Sequence, residues 1–263
     1  MQTLKTIFIG ALIASVPVNS SIAQTPEERG LEIAKAADQR DSGWRHQTSD
    51  MEMILRNRAG KESRRKITNR QLEVDGDGDK TLSLFHEPRD VKGTAMLTFS
   101  HGLEPDDQWL YLPSIKRVKR ISSKNKSGPF MGSEFAFEDL SSQEIEKYSY
   151  KFLREEPCGE FECYVIERIP QYENSGYTKQ IAWIDKDEYR NIKVEYYDRK
   201  DALLKTLEML GYKEYTGGYW RADQFEMINH QTGKSTTLLW QNYNFESSLN
   251  ENDFNQNALK RLL

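Results

Sequence analysis

After its first third of a hundred residues the chain breaks into short runs closed by turn residues, and few of these runs are long or periodic enough for a helix. Runs with alternating apolar and polar positions are the mark of strands that bury one face. Thirteen candidates stand out, at 48–56, 62–73, 80–86, 94–100, 108–112, 117–121, 148–154, 161–169, 177–184, 192–198, 203–215, 220–229 and 235–244. Between them lie turn signals such as Arg58-Ala59-Gly60, Asp75-Gly76-Asp77-Gly78, Asp185-Lys186-Asp187, Gly217-Gly218 and Gln231-Thr232-Gly233-Lys234. Turn chemistry recurring every ~8–12 residues predicts a mainly β chain, a curled antiparallel meander of eleven to thirteen strands.

One helix precedes the strands. Thr25-Pro26-Glu27-Glu28 offers a hydroxyl N-cap, proline at the first helical position and acids in the first turn, and Leu31, Ile33, Ala34 and Ala37 follow as one apolar face through residue 40. Ser141 or Ser142 is a second candidate cap, for a short helix through Glu146, and residues 251–263 are a third helical candidate. The strands alternate apolar and charged residues, as in Ile192-Lys193-Val194-Glu195-Tyr196, which fits a sheet with one wet face. Two short helices are little cover for the other face. It is either left partly open for a ligand or packed by its own side chains, and periodicity alone does not separate the two.

Charge and cysteine content narrow the partners. Residues 1–23 read as a secretory signal, with Lys5 ahead of an apolar stretch at 7–18 and Ser21-Ile22-Ala23 as a cleavage site. Without it the chain, 24–263, carries 36 Lys and Arg against 41 Asp and Glu. That acidic balance argues against a nucleic-acid partner, whose phosphates call for a basic excess, while 28 aromatics in 240 residues argue against disorder. No cysteine stands near the cleavage site, so a soluble exported protein is expected rather than a lipid-anchored one. Cys158 and Cys163 flank a short turn and, in an oxidising compartment, are expected to form a disulfide.

Catalytic and metal patterns fail on inspection. Asp75-Gly76-Asp77-Gly78-Asp79 begins like a calcium loop, but Lys80 and His86 stand where glycine and glutamate are needed. His101 with Glu104, Asp106 and Asp107 reads as a solvated acidic loop. The four histidines have no zinc-protease spacing, and G-x-S-x-G is absent. No catalytic residue, metal or cofactor is assigned. Two basic clusters remain, Arg56 to Arg70 and Lys116, Arg117, Lys119, Arg120, Lys124 and Lys126. They are either solvated faces balanced by Glu134, Glu138, Asp139, Glu144 and Glu146, or contacts for anionic headgroups or an acidic partner. Between the second cluster and these acids, Phe130, Met131, Phe135 and Phe137 sit among glycines, as a lid over a cavity or as a segment entering the core.

Several stretches resemble the LolA-like outer-membrane lipoprotein-sorting proteins, in their longer branch: Asp106-Asp107-Gln108-Trp109-Leu110-Tyr111-Leu112-Pro113, Lys116-Arg117-Val118-Lys119-Arg120-Ile121, Gly132-Ser133-Glu134-Phe135, Glu195-Tyr196-Tyr197-Asp198 and Asn229-His230-Gln231-Thr232-Gly233-Lys234. The resemblance covers nearly all of the chain after residue 23 and implies a single domain. It implies an incomplete, half-open β-barrel, covered by helices, that encloses an apolar cavity for lipid or lipoprotein acyl chains. Members of this branch often accompany an inner-membrane transporter of the resistance-nodulation-division type, and that partner is carried over as an expectation. Phe99, Trp109, Tyr111, Phe130, Met131, Phe135 and Phe137 are the expected cavity or lid residues. Lys116, Arg117, Lys119 and Arg120 are the expected headgroup or partner contacts. The alternative is an interaction subunit of a transporter with a filled barrel and no lipid.

Overall fold

The computed structural model describes residues 24–257 and 259. The expected signal segment therefore lies outside the described residues, as do 258 and 260–263 of the third helical candidate. Helix α1 (Pro26–Asp41) starts as its sequence requires. Thr25 accepts from the Glu28 amide while the Glu28 carboxylate takes the Thr25 amide, a reciprocal cap with Pro26 behind it.

All thirteen expected strands are present: β1 (His46–Arg56), β2 (Glu62–Leu72), β3 (Lys80–Glu87), β4 (Ala95–Phe99), β5 (Asp107–Leu112), β6 (Arg117–Arg120), β7 (Tyr148–Cys158), β8 (Phe161–Pro170), β9 (Tyr177–Asp185), β10 (Asn191–Asp198), β11 (Leu203–Tyr215), β12 (Tyr219–Asn229) and β13 (Ser235–Asn244). They form one antiparallel sheet in the order β6-β5-β4-β3-β2-β1-β13-β12-β11-β10-β9-β8-β7. Every pairing joins strands adjacent in sequence except β1 with β13. β6 and β7 are the two free edges, so the sheet is not closed into a barrel.

The segment that links those edges, 121–147, reveals the curl. Gln108 on β5 donates to the Phe137 carbonyl at 2.9 Å, and Tyr177 on β9 donates to Asp139 at 2.8 Å. β5 and β9 are nine steps apart in the sheet, about 43 Å if it were flat at ~4.8 Å per strand. Two residues of chain span only ~7 Å. Both halves of the sheet must therefore bend around this crossing segment. It is held without a regular helix, by 3-10 turns at Phe137–Leu140 and Ile145–Lys147. The helix expected to start at Ser141 or Ser142 does not form, because these residues serve the sheet: the Ser142 amide donates to Ser100 and its hydroxyl accepts from the Asp79 amide. Of the third helical candidate, the described residues show a 3-10 turn, Glu251–Asp253, and a helical Leu259.

The main core lies on the inner face, where Met53, Phe85, Ile166, Ile184 and Met227 are fully enclosed beneath α1 and the crossing segment. Helix α1 approaches β7 so closely that a Cβ on Gly30 would lie 2.7 Å from the Lys151 backbone. Gly211, at φ +67°, is where β11 changes phase: Leu207 and Met209 point inward before it and Tyr212 after it, as a left-handed residue allows. The outer face carries two smaller clusters. Leu82, Leu97 and Tyr111 pack under Phe254 and Leu259, and Val165 and Trp183 pack beside the Cys158–Cys163 disulfide, which closes the β7–β8 hairpin as expected.

Candidate functional site

Between the C-terminal half of α1 and the inner face lies a cavity of about 790 Å³, within the usual range of ligand sites, about 300–1,000 Å³. Its wall is aromatic, with Trp44, Tyr150, Tyr212, Trp220, Trp240 and Tyr243 joined by Met209 and Ala222. The buried indole N–H groups of Trp220 and Trp240 have no hydrogen-bond partner among the described residues. Its rim is acidic, built from Asp38 and Asp41 of α1, Glu73, Asp77 and Asp79 around the β2–β3 turn, and Glu144 of the crossing segment. The turn that opened like a calcium loop is thus part of this rim.

Crowding and burial change how these acids titrate. Burial, then the charge of Glu144, pushes Asp79 up to about 7. Burial likewise raises Asp38, Asp41 and Glu144, in the case of Asp41 against the pull of Arg221. The site is therefore amphipathic: an aromatic interior behind a mouth where Asp38, Asp41, Asp79 and Glu144 hold protons more tightly than free carboxyls do.

Strand register builds a polar row across the inner face. Tyr150 on β7 stands opposite Arg168 on β8, Arg168 opposite Gln180 on β9, Gln180 opposite Tyr196 on β10, Tyr196 opposite Lys205 on β11, and Lys205 opposite Asn229 on β12. All six are buried. The crossing segment supplies their partners. Glu134 accepts from Asn229 at 2.7 Å, Asp139 pairs with Lys205 at 2.6 Å, and Gln143 accepts from Arg168 at 2.8 Å. Arg168, Gln143 and Asn191 also line a second cavity of about 190 Å³, so they stand between the two spaces.

The expected cavity residues fall into two groups. Phe99, Trp109 and Tyr111 share the outward phase of β4 and β5 and belong to the cluster under Phe254 and Leu259. Phe130, Met131, Phe135 and Phe137 face inward, where Phe130 packs between Phe85 at 5.9 Å and Phe137 at 5.6 Å. This segment is anchored: Arg65 donates to the Met131 carbonyl and Lys205 to that of Glu134. None of the seven lines the 790 Å³ cavity. Lys116, Arg117, Lys119 and Arg120 are exposed along edge strand β6, where Arg120 pairs with Asp107. Of the acids read as their balancing charges, Glu138 and Asp139 turn inward instead, since Glu138 accepts from Ser175 and the Gly176 amide and Asp139 holds Lys205, while Glu146 is exposed. In the first basic cluster Arg56 and Arg64 pair with Glu62, and Lys66 with Glu87. His101 meets Asp77 at 2.9 Å while Asp106 pairs with Lys147, and among the described residues no group of three or more ligating side chains is placed to hold a metal.

A curled, unclosed antiparallel sheet wrapped around a helix and a crossing segment, with a cavity inside, is the LolA-like fold. A LolA superfamily protein from Nitrosomonas europaea shares it at 19% identity, over 87% of this chain and 98% of that one, with a TM-score of 0.70. Nearer relatives give the family. A DUF1329 family protein from Desulfovibrio piger is 31% identical over 89% of this chain and 99% of its own, with a TM-score of 0.85. An outer membrane lipoprotein-sorting protein domain from Vibrio parahaemolyticus is 58% identical over 89% of this chain and all of its own, with a TM-score of 0.88. The chain belongs to this DUF1329 family of LolA-like proteins. A family model described as that of an uncharacterized protein matches residues 77–261, and no protein of curated function matches the chain.

Proposed function

We propose that the chain, exported and cleaved near Ala23 to leave the single domain 24–263, is a periplasmic carrier that shelters acyl chains of a lipid or lipoprotein. The observation that carries this reading is the 790 Å³ aromatic-walled cavity on the inner face of an open sheet. Burying a chain there gains about 0.8 kcal/mol per CH₂, enough to hold an amphiphile and little enough to release it to a membrane or partner. The name of the Vibrio protein, a lipoprotein-sorting domain, points the same way. The 130–137 segment, anchored across the inner face, is the gate in this reading, and Lys116, Arg117, Lys119 and Arg120 on the free edge β6 are the contact for a headgroup or for an inner-membrane transporter of the resistance-nodulation-division type.

Organic extraction of the purified mature protein followed by mass spectrometry, with titration of a fluorescent acyl probe, tests the proposal. Co-purified lipid or saturable probe uptake is the expected result. An empty protein that takes up no probe refutes it and leaves the interaction subunit, a reading favoured by the close filling of the inner face around Phe85 and Phe130.

A further inference from the structure

Arg168 differs from the other buried cations of this chain. Lys205 has Asp139 at 2.6 Å, Lys147 has Asp106 at 2.8 Å, and Arg190 has Asp185 at 2.8 Å. Lys126 lies 3.7 Å from the centre of the Tyr172 ring, with Asp106 and Glu138 in its field. Arg168 is 4% exposed, and among the described residues its guanidinium donates only to two neutral amides, Gln143 and Asn191, each at 2.8 Å. The ionisable groups near it are Tyr148, Tyr150 and Tyr196, which burial keeps in their neutral form. A guanidinium stays charged even when buried, so its charge lacks the partner that buried charges ordinarily have.

Its surroundings have room for that partner. Arg168 lines both cavities, and Tyr150, directly opposite it on β7, lines the larger one and makes no hydrogen bond through its hydroxyl among the described residues. A planar fork of N–H donors beside a free phenol suits two oxygens of one anionic group. The rim carboxyls belong to α1, the β2–β3 turn and the crossing segment; none of them is among the charges acting on Arg168, while Asp38 and Glu146 act on Tyr150.

We infer that Arg168 is the seat for the anionic group of the cargo, a carboxylate or phosphate on an acyl chain that lies along the aromatic wall, with Tyr150 as second donor. This rests on the carrier reading and adds a ligand class to it: acidic amphiphiles over neutral or cationic ones of equal chain length. Binding exchanges the Gln143 contact for the ligand, which couples occupancy of the cavity to the crossing segment.

The test compares palmitate, 1-palmitoyl lysophosphatidic acid, hexadecanol and hexadecylamine by calorimetry on the mature protein and on Arg168→Gln, Arg168→Lys and Tyr150→Phe. An anionic ligand should bind about 10- to 100-fold more tightly than hexadecanol, the worth of one charge-assisted contact. Arg168→Gln should erase that preference while hexadecanol affinity stays put, and Arg168→Lys should retain part of it. Whether palmitate or the lysophospholipid gains more tells carboxylate from phosphate. Equal affinity for hexadecanol and both anions in the unaltered protein, a measurement that needs no variant, overturns the inference, and so does a preference that survives Arg168→Gln in a folded protein. If no chain of any charge binds, the carrier reading itself falls.

Discussion

Asp79 is the side chain whose replacement says most about the acidic rim. Burial, with the charge of Glu144 second, moves its carboxyl from 3.8 up to about 7. Between pH ~4 and ~7 the folded chain keeps a proton that the unfolded chain has released. Stability therefore falls as pH rises through that window and stays at the lower level above it. Taken at full strength the shift amounts to about 4 kcal/mol. The residue is only half-buried, and screening by solvent reduces the expected effect to about 1–2 kcal/mol. Asp79→Asn keeps an oxygen for the Val74 amide, 3.4 Å away, and removes the charge. Urea unfolding at pH 4 and pH 8 is the assay. Asp38, Asp41 and Glu144 are shifted in the same direction, so the wild-type curve carries their sum and the difference between the two proteins isolates Asp79. The variant should match or trail the wild type at pH 4 and exceed it by about 1–2 kcal/mol at pH 8. A variant that is the less stable protein at pH 8, or a difference independent of pH, refutes the argument.

Three further changes probe the frame. Gly30→Ala should destabilise the protein by about 1–3 kcal/mol in urea, although alanine is the better helix former, because its methyl group has no room against the Lys151 and Phe152 backbone. Asp139→Asn strips the enclosed Lys205 ammonium of its carboxylate and should cost about 3–5 kcal/mol, with faster proteolysis in the crossing segment as a second readout. Replacing Cys158 and Cys163 by serine opens a six-residue loop and should cost about 2 kcal/mol; wild-type protein in reductant should fall to the stability of the double variant.

Strands were legible because their signals are local. Turn residues and alternation placed all thirteen, and the cysteine spacing gave the disulfide. Which way a strand faces was not. In β5, Trp109 and Tyr111 occupy one phase and Gln108 and Leu110 the other, so both sides carry apolar bulk, and the choice is made far away by Phe254 and Leu259 covering the outer face. The polar row is harder still to read. Tyr150, Arg168, Gln180, Tyr196 and Lys205 come from five strands, and only register brings them into line. The crossing segment misled because its serines and acids look like caps and surface charge, whereas the fold spends them on ties to the sheet.

The pairing of β1 with β13 bears on how the chain folds. Six strands and seven strands form two runs of neighbouring hairpins that can each assemble locally, and the ladder from Thr48–Asn244 to Arg56–Ser235 is the one pairing of high contact order between them. Closing a loop of nearly two hundred residues costs about 5 kcal/mol in chain entropy. The crossing segment sits midway along that loop and touches both runs, through Gln108 and Arg65 on one side and Tyr177 and Lys205 on the other. If it docked first, one long closure would be replaced by two shorter ones.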